Sequence, residues 1–372
     1  MSDNKKKVYA VHLYNDYSGS PRVLADALSL LCSEGYDCHI LTSQHKGFLE
    51  SNIVKKWQVP YFRHANRWLV LFFFMLSQCI CFFLLSALLL NDRFRGRVAV
   101  VLVNTMLPSA ACLAAKFFAK ECIVYVHETS VSPAAFKKFL RYFVNNCASN
   151  VIYVSHYLQE VESFEKPSQI VIYNGLRADL SFPSDFNLQD KFHNRYVLFC
   201  GSLKDYKGIG QLVELAKKMC DYQFMAALNC EPEEIEQLAN SLDNLTFLSR
   251  PDNLGRLYED AFLVVNLSLP DQWVETFGLS LLEGMAAGCP VIGPPVGGPM
   301  ELVTEEVGKN IDSRDVDQLE EYIRYLGENY ILWEIKSRAA AERAELFGAD
   351  VYQQNISVFF SVLFSKQKVV ML

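Results

Sequence analysis

Short runs of apolar and β-branched residues recur along the chain, separated by stretches of helical period. In the first half they are VYAVHL (8–13), CHILTS (38–43), VAVVLV (98–103), CIVYV (122–126), NVIYV (150–154) and IVIYN (170–174). Between them, 21–34, 109–119 and 133–147 read as helices. Strands that are apolar throughout, rather than alternating, are buried on both faces, which is the mark of a parallel sheet covered by helices. The polar segment 177–194 interrupts this pattern and is the expected linker. A second series follows: YVLFC (196–200), a helix over 209–219, then QFMAALN, LTFL, AFLVVNL and CPVIGP. Two such series predict two Rossmann-like domains facing each other across a central cleft, 1–180 and 195–348, followed by a last piece at 349–372. In sheets of this kind ligands bind in the loops at the carboxyl ends of the strands.

One segment departs from the pattern. From Trp68 to Asn91 no residue is charged. About 20 apolar residues suffice to span a bilayer. A single crossing here would leave the strands before residue 68 on one side and all later ones on the other, splitting the first sheet. The expectation is therefore a helix over 67–91 that packs on the first domain and dips into a membrane surface without crossing it. Trp68 and the flanking arginines would sit at headgroup level.

Composition agrees with a chain that has ample core: 51% of the 372 residues are hydrophobic and 21% charged. Eleven cysteines, with no zinc-like spacing, read as free thiols in a reducing compartment. Charge is uneven. Residues 1–184 hold 19 basic and 13 acidic residues (+6), and the remainder 16 and 29 (−13), making the net charge of −7. A basic first half on an acidic chain fits a membrane surface or lipid phosphate. No basic-aromatic module suggests nucleic acid as a partner. The Lys5–Lys7 run reads as a solvated tail.

The densest chemical signal is the stretch from Glu275 to Ile292, ETFGLSLLEGMAAGCPVI, with Glu275 and Glu283 eight positions apart. Gly278 is expected to open a helix and Gly288 to end it. The amides of Phe277, Gly278 and Leu279 at that helix start make a site for an anion. A carboxylate at Glu275 suits sugar hydroxyls. Lys207, after strand 196–200, is placed for a phosphate, because a lysine at a helix start opposes the helix dipole. No Asp-x-Asp pair stands at a strand end, so no divalent metal is expected.

The Glu275–Glu283 block resembles the E-x7-E signature of retaining glycosyltransferase family 4. Other pieces follow in that family's order. Gly201-Ser-Leu-Lys-Asp-Tyr-Lys207-Gly208 resembles its phosphate loop, and Asn174-Gly175 the close of its first domain. His127-Glu128 resembles its mid-domain histidine, Gly297-Gly298 a later loop, and Ser18-Gly19-Ser20 its first glycine loop. Ser202 stands where the family has an arginine on the diphosphate, leaving more charge to Lys207, with Arg250 or Lys204 as candidate additions.

The resemblance implies a GT-B fold and a retaining, metal-independent glycosyltransferase with a nucleoside-diphosphate sugar as co-substrate and no other cofactor. Glu275, His127 and Lys207 would be its catalytic residues. Gly19, Ser202, Lys207, Arg250, Glu275, Phe277, Gly278, Leu279 and Glu283 would bind the donor, with Glu283 on the ribose. Asp271 and Trp273 are candidates to shape the sugar pocket. The first domain would take a lipid-linked or saccharide acceptor, and the last helix, about 350–364, would cross back onto it. The implied setting is cell-surface polysaccharide or lipopolysaccharide assembly in a bacterium, at the cytoplasmic face of the membrane. The alternatives are a nucleotide-sugar epimerase of the same fold and a degenerate scaffold subunit.

Overall fold

The computed structural model describes residues 6–50, 54–62, 66–180, 182–183, 187–236, 238 and 242–365. The chain forms two compact units, 1–173 with 352–372, and 174–351.

The first unit runs β1 (Lys7–His12), α1 (Gly19–Ser33), β2 (Asp37–Thr42), β3 (Lys55–Gln58), α2 (Arg67–Phe94), β4 (Ala99–Asn104), α3 (Ser109–Phe118), β5 (Glu121–Val126), α4 (Ala134–Cys147), β6 (Asn150–Tyr153), α5 (His156–Glu162) and β7 (Ser168–Val171). Its sheet has the order β3-β2-β1-β4-β5-β6-β7, every pairing parallel. β1 and β4 are buried along their whole length, as expected of strands covered on both faces. β3, KKWQ, lacks the apolar run of the others and was not legible by pattern. It is an edge strand, exposed at both ends.

The second unit runs α6 (Leu188–Asn194), β8 (Tyr196–Ser202), α7 (Ile209–Lys218), β9 (Gln223–Asn229), α8 (Pro232–Glu236), β10 (Leu245–Ser249), α9 (Leu254–Asp260), β11 (Leu263–Val265), α10 (Leu279–Ala286), β12 (Val291–Gly293), α11 (Pro299–Leu302), β13 (Gly308–Asn310), α12 (Val316–Glu328) and α13 (Tyr330–Glu345). Its parallel sheet has the order β10-β9-β8-β11-β12-β13. Trp333 is completely buried, stacks on Phe262 and donates its indole N–H to the Phe262 carbonyl at 2.9 Å. The final helix, α14 (Ala349–Phe364), starts in this unit, but from Tyr352 onward it belongs to the first. There the Tyr352 hydroxyl donates to the Val23 carbonyl of α1 at 3.3 Å.

Two expectations need correction. Segment 177–194 is not a linker: the second unit begins at Asn174, and the end of the segment is α6. Lys191 explains why a polar stretch is folded in. Its buried ammonium donates to the carbonyls of Tyr258, Glu259 and Ala287 at 2.8–3.1 Å, satisfying the orphan acceptors at two helix ends. Lys7 is not part of a solvated tail either. It opens β1, is 6% exposed and pairs with the buried Asp92 at 3.1 Å. Lys5 lies outside the described residues.

α2 links β3 to β4, and both strands belong to the same sheet. Its end is tied in place by Asp92, which accepts from the Tyr9 hydroxyl at 2.5 Å and pairs with Lys7. α2 therefore packs on the first unit, chiefly against α3, through one face, where Phe74, Cys81, Leu85 and Leu89 are buried.

Candidate active site

Each sheet reverses its strand order once, between β1 and β4 and between β8 and β11. At such a point the loops leave in opposite directions and open a crevice at the strand ends. Gly19 and His127 lie at the first of these places, and Lys207 and Glu275 at the second.

In the second unit, Lys207 follows β8 and Glu275 follows β11. Their side chains form an ion pair, each only 16% exposed. The Ser268 hydroxyl donates to the same carboxylate oxygen at 2.9 Å. Burial pushes the Glu275 pKa up, but Lys207, Ser268 and Asn266 outweigh it, and the net shift is downward. The Lys207 ammonium also lies 5.1 Å from the Trp273 ring centre, and Trp273 stacks on Tyr206 at 5.0 Å.

Glycines make this convergence possible. Gly208, at φ 86°, comes so close to Leu267 that a Cβ would sit 2.1 Å from its carbonyl oxygen. Gly298 donates its N–H to the Glu275 carbonyl at 2.9 Å, and a Cβ there would lie 2.2 Å from the Thr276 oxygen. The loop after β12 is thus pressed onto the backbone that carries Glu275.

Gly278, at φ 110°, precedes α10 and supplies no capping side chain. Leu279 is the first residue of α10, and Phe277 is buried against Phe347. Glu283 faces another set of partners. It is 6% exposed, accepts from the Tyr258 hydroxyl at 2.7 Å and has the Arg177 guanidinium 4.0 Å away. Ser202 ends β8, half-buried. Arg250 follows β10, two strands from β8, and is exposed, holding Asn229 at 2.9 Å and Glu231 at 2.8 Å. Asp271 points away to Arg314 at 3.5 Å.

In the first unit, His127 follows β5 and Gly19 begins α1. Asn104, the last residue of β4, joins them. Its side-chain N–H2 donates to the Ser20 carbonyl at 3.1 Å and to His12 Nδ1 at 3.0 Å, and its oxygen meets His127 Nε2 at 2.8 Å. The Ser20 carbonyl can only accept, which fixes the amide orientation. His127 therefore carries its proton on Nε2 and donates it to Asn104. Burial, with His12 nearby, drives the His127 pKa down to about 3, so the ring is neutral at physiological pH. Glu128 accepts the N–H groups of Met106 at 3.1 Å and His127 at 3.3 Å, yet burial still lifts its pKa to about 7. Between these groups Thr105 adopts φ 69°, a strained setting for a β-branched residue and one that clusters at functional sites.

Asn104, His12, Arg177 and Tyr258 were missed by sequence reasoning. For two of them a signal existed: a polar residue closing an apolar strand, as in AVVLVN and KVYAVH, marks a carboxyl-end loop.

Two parallel α/β units of this form define the GT-B class of glycosyltransferase folds. The chain is similar along its length to solved structures. They include the sucrose-phosphate synthase of Thermosynechococcus elongatus (TM-score 0.79, 18% identity, 98% of this chain and 100% of that one) and the Anabaena protein HepE in complex with UDP and glucose (TM-score 0.77, 18% identity, 96% and 99%). Within that class, residues 184–346 match the model of the family Glycosyl transferases group 1. An uncharacterized glycosyltransferase of Methanocaldococcus jannaschii is 31% identical over 169 residues. That match covers 38% of this chain and 42% of the relative's length.

Proposed function

We propose that the chain is a glycosyltransferase that moves a sugar from a nucleoside diphosphate to a lipid-linked or saccharide acceptor. The observation that carries this is the Lys207–Glu275 pair at the β8/β11 reversal, framed by glycines and followed by the uncapped start of α10. As the sugar leaves, negative charge grows on the diphosphate, and preorganised donors stabilise it. Lys207 and the amides of Phe277, Gly278 and Leu279 are those donors. Donor binding draws Lys207 to the phosphates. The freed Glu275 carboxylate then accepts from hydroxyls of the sugar. Glu283 binds the ribose, and His127 and the Gly19 loop serve the transferred sugar and acceptor. Ser202 and Arg250 contribute at the nucleotide end. The UDP complex of the similar Anabaena fold supports a nucleotide-sugar donor.

The resemblance of the E-x7-E block supports retention of configuration. Charge supplied by Lys207 and backbone amides supports a reaction that needs no divalent cation. The apolar α2 supports work at a membrane, and the reading extends to cell-surface polysaccharide or lipopolysaccharide assembly at the cytoplasmic face.

The experiment is transfer from a panel of nucleotide sugars to membrane lipid extract, with product analysis. Glu275→Ala and Lys207→Ala should each abolish transfer while leaving the melting temperature within a few degrees. Wild-type rates in either variant remove the assignment, and an altered sugar formed from donor alone points to an epimerase instead.

A further inference from the structure

The polarity of α2 is inverted. Its buried stripe contains the polar residues Ser77, Gln78, Ser86 and Asp92. Several are used: the Gln78 side-chain oxygen accepts the Ala110 N–H of α3 at 2.9 Å, and Asp92 holds Tyr9 and Lys7. Its outward stripe is apolar, with Trp68 66%, Phe72 59%, Met75 50% and Phe83 70% exposed. A water-facing helix has the opposite arrangement, and a contiguous apolar patch of this kind marks a docking surface.

α4 meets α2 beneath the surface and bears exposed apolar groups of its own. Phe74 meets Phe136 of α4, ring centres 5.2 Å apart, and Phe136 and Phe143 flank Phe139. On the outer side of α4, Phe139 and Tyr142 are 44% and 65% exposed, and Lys138 is exposed beside them. Charge on this face has one sign. α4 carries Lys137, Lys138 and Arg141 and no acidic residue, and α2 has none before Asp92. Lys137 and Arg141 share the single carboxylate of Glu162, so a net positive charge remains.

Exposure is also graded along α2. Most of the exposed apolar residues precede Cys81, in the half that begins just after β3 ends. α4 likewise begins after β5 ends. The exposed half of α2 and the start of α4 therefore lie toward the carboxyl edge of the sheet, the edge that bears Gly19 and His127.

We propose that the outer faces of the first half of α2 and of α4 together form one docking face for an anionic lipid bilayer. Trp68, Phe72, Met75 and Phe139 enter the boundary between headgroups and acyl chains, and Lys138 engages lipid phosphates. Docked this way, the loops bearing Gly19 and His127 lie next to the headgroups, where a lipid-linked acceptor presents its polar end. The inference rests on the membrane part of the proposed function and adds the second helix, the lipid charge and the edge that faces the membrane. Apolar area supplies affinity, and each lysine near an anionic surface adds a salt-screened increment.

The test is flotation of the purified full chain with vesicles of phosphatidylcholine alone, or mixed with phosphatidylglycerol, together with tryptophan emission. The wild type should float, more so with phosphatidylglycerol, and its emission should shift to the blue, a shift lost in Trp68→Phe. Lys138→Glu should lower partition into anionic vesicles about tenfold and have little effect on neutral ones. Phe139→Ser with Tyr142→Ser should lower it at least about tenfold on both. All four positions are exposed, so folding is not at issue.

Flotation that is indifferent to the α4 variants and to lipid charge overturns this inference and leaves membrane work standing. A wild type that floats with neither vesicle overturns both. A stable dimer in which Trp68 is already shielded without lipid assigns the face to a second copy and overturns the proposal. Sugar transfer is measured separately from nucleotide-sugar turnover, so its failure is read independently.

Discussion

Lys207 and Glu275 neutralise each other at the point where the second sheet reverses its strand order, 68 residues apart in the chain. Under the proposed function each would be the other's stand-in for a ligand: the ammonium would exchange the carboxylate for a phosphate, and the carboxylate would exchange the ammonium for sugar hydroxyls.

On the proposed function, the pairing should let nucleotide binding be separated from transfer. Glu275→Gln releases Lys207, so UDP should bind at least as tightly as to the wild type while sugar transfer falls by about a hundredfold or more. Lys207→Ala should weaken both. Titration calorimetry with UDP, set beside initial rates, checks the split. Parallel loss of UDP binding in both variants sinks it. The pair also carries a pH signature. Because the folded Glu275 pKa is lowered, its stabilisation is present above the ordinary carboxylate range and is lost as pH falls through the folded value.

Asn104 sets the proton position on His127. In Asn104→Asp, a carboxylate replaces an amide that donates to Ser20 and His12 and accepts from His127. The negative charge should raise the His127 pKa from about 3 toward the ordinary histidine range. The lost donation to the Ser20 carbonyl should cost on the order of 1–3 kcal/mol. NMR titration of the histidine ring protons reads the first effect, and denaturant unfolding the second. An unmoved His127 would show that the two side chains do not communicate.

Glu128 and His127 push stability in opposite directions with pH. The raised Glu128 pKa gives a contribution that is complete below pH about 4.5 and is lost as pH rises through about 7. The lowered His127 pKa means the unfolded chain takes up a proton first, so stability falls as pH drops from about 6.5 toward 3. Glu128→Gln should therefore gain on the wild type between pH 5 and 8 by on the order of 2 kcal/mol. Chemical unfolding at the two pH values decides this, and a difference independent of pH refutes the burial argument.

How much was legible followed from what each feature depends on. The buried strands announced themselves because parallel pairing with helices on both faces requires unbroken apolar runs. β3 and β13 were missed because edge strands need no such run: KKWQ and GKN carry almost none. α6 was taken for a linker because its anchor is Lys191, a charged residue whose partners are carbonyls about 70 to 100 positions away. In the site, Lys207 and Glu275 stood out by spacing and glycine context. Their direct pairing did not, since it depends on the adjacency of β8 and β11. Glu283 stood out by its spacing from Glu275, but its burial against Tyr258 and Arg177 did not, since no local pattern connects those partners to it.

Removing metal should change nothing in catalysis. Diphosphate charge is assigned to Lys207 and the amides of Phe277, Gly278 and Leu279, so saturating EDTA should leave the initial rate within about twofold. A rate abolished by EDTA and restored by magnesium or manganese would transfer that role to a cation.

The glycines near Glu275 offer a sharper test, because space and conformation can be separated. Gly298→Ala places a methyl 2.2 Å from the Thr276 carbonyl oxygen and 2.5 Å from the Phe277 Cα. Both neighbours are backbone, so the whole turn must move and carry Glu275 away from Lys207. The expected result is a loss of about 2–4 kcal/mol and transfer reduced well beyond what that loss explains. Gly210, in α7, is the control. A Cβ there meets nothing within 4 Å, and alanine in a helix is favoured over glycine by about 1 kcal/mol. Gly210→Ala should thus melt slightly higher with an unchanged rate. If Gly298→Ala were as stable and active as Gly210→Ala, the tight packing of the Gly297–Gly298 loop on the Glu275 backbone would have no part in building the site.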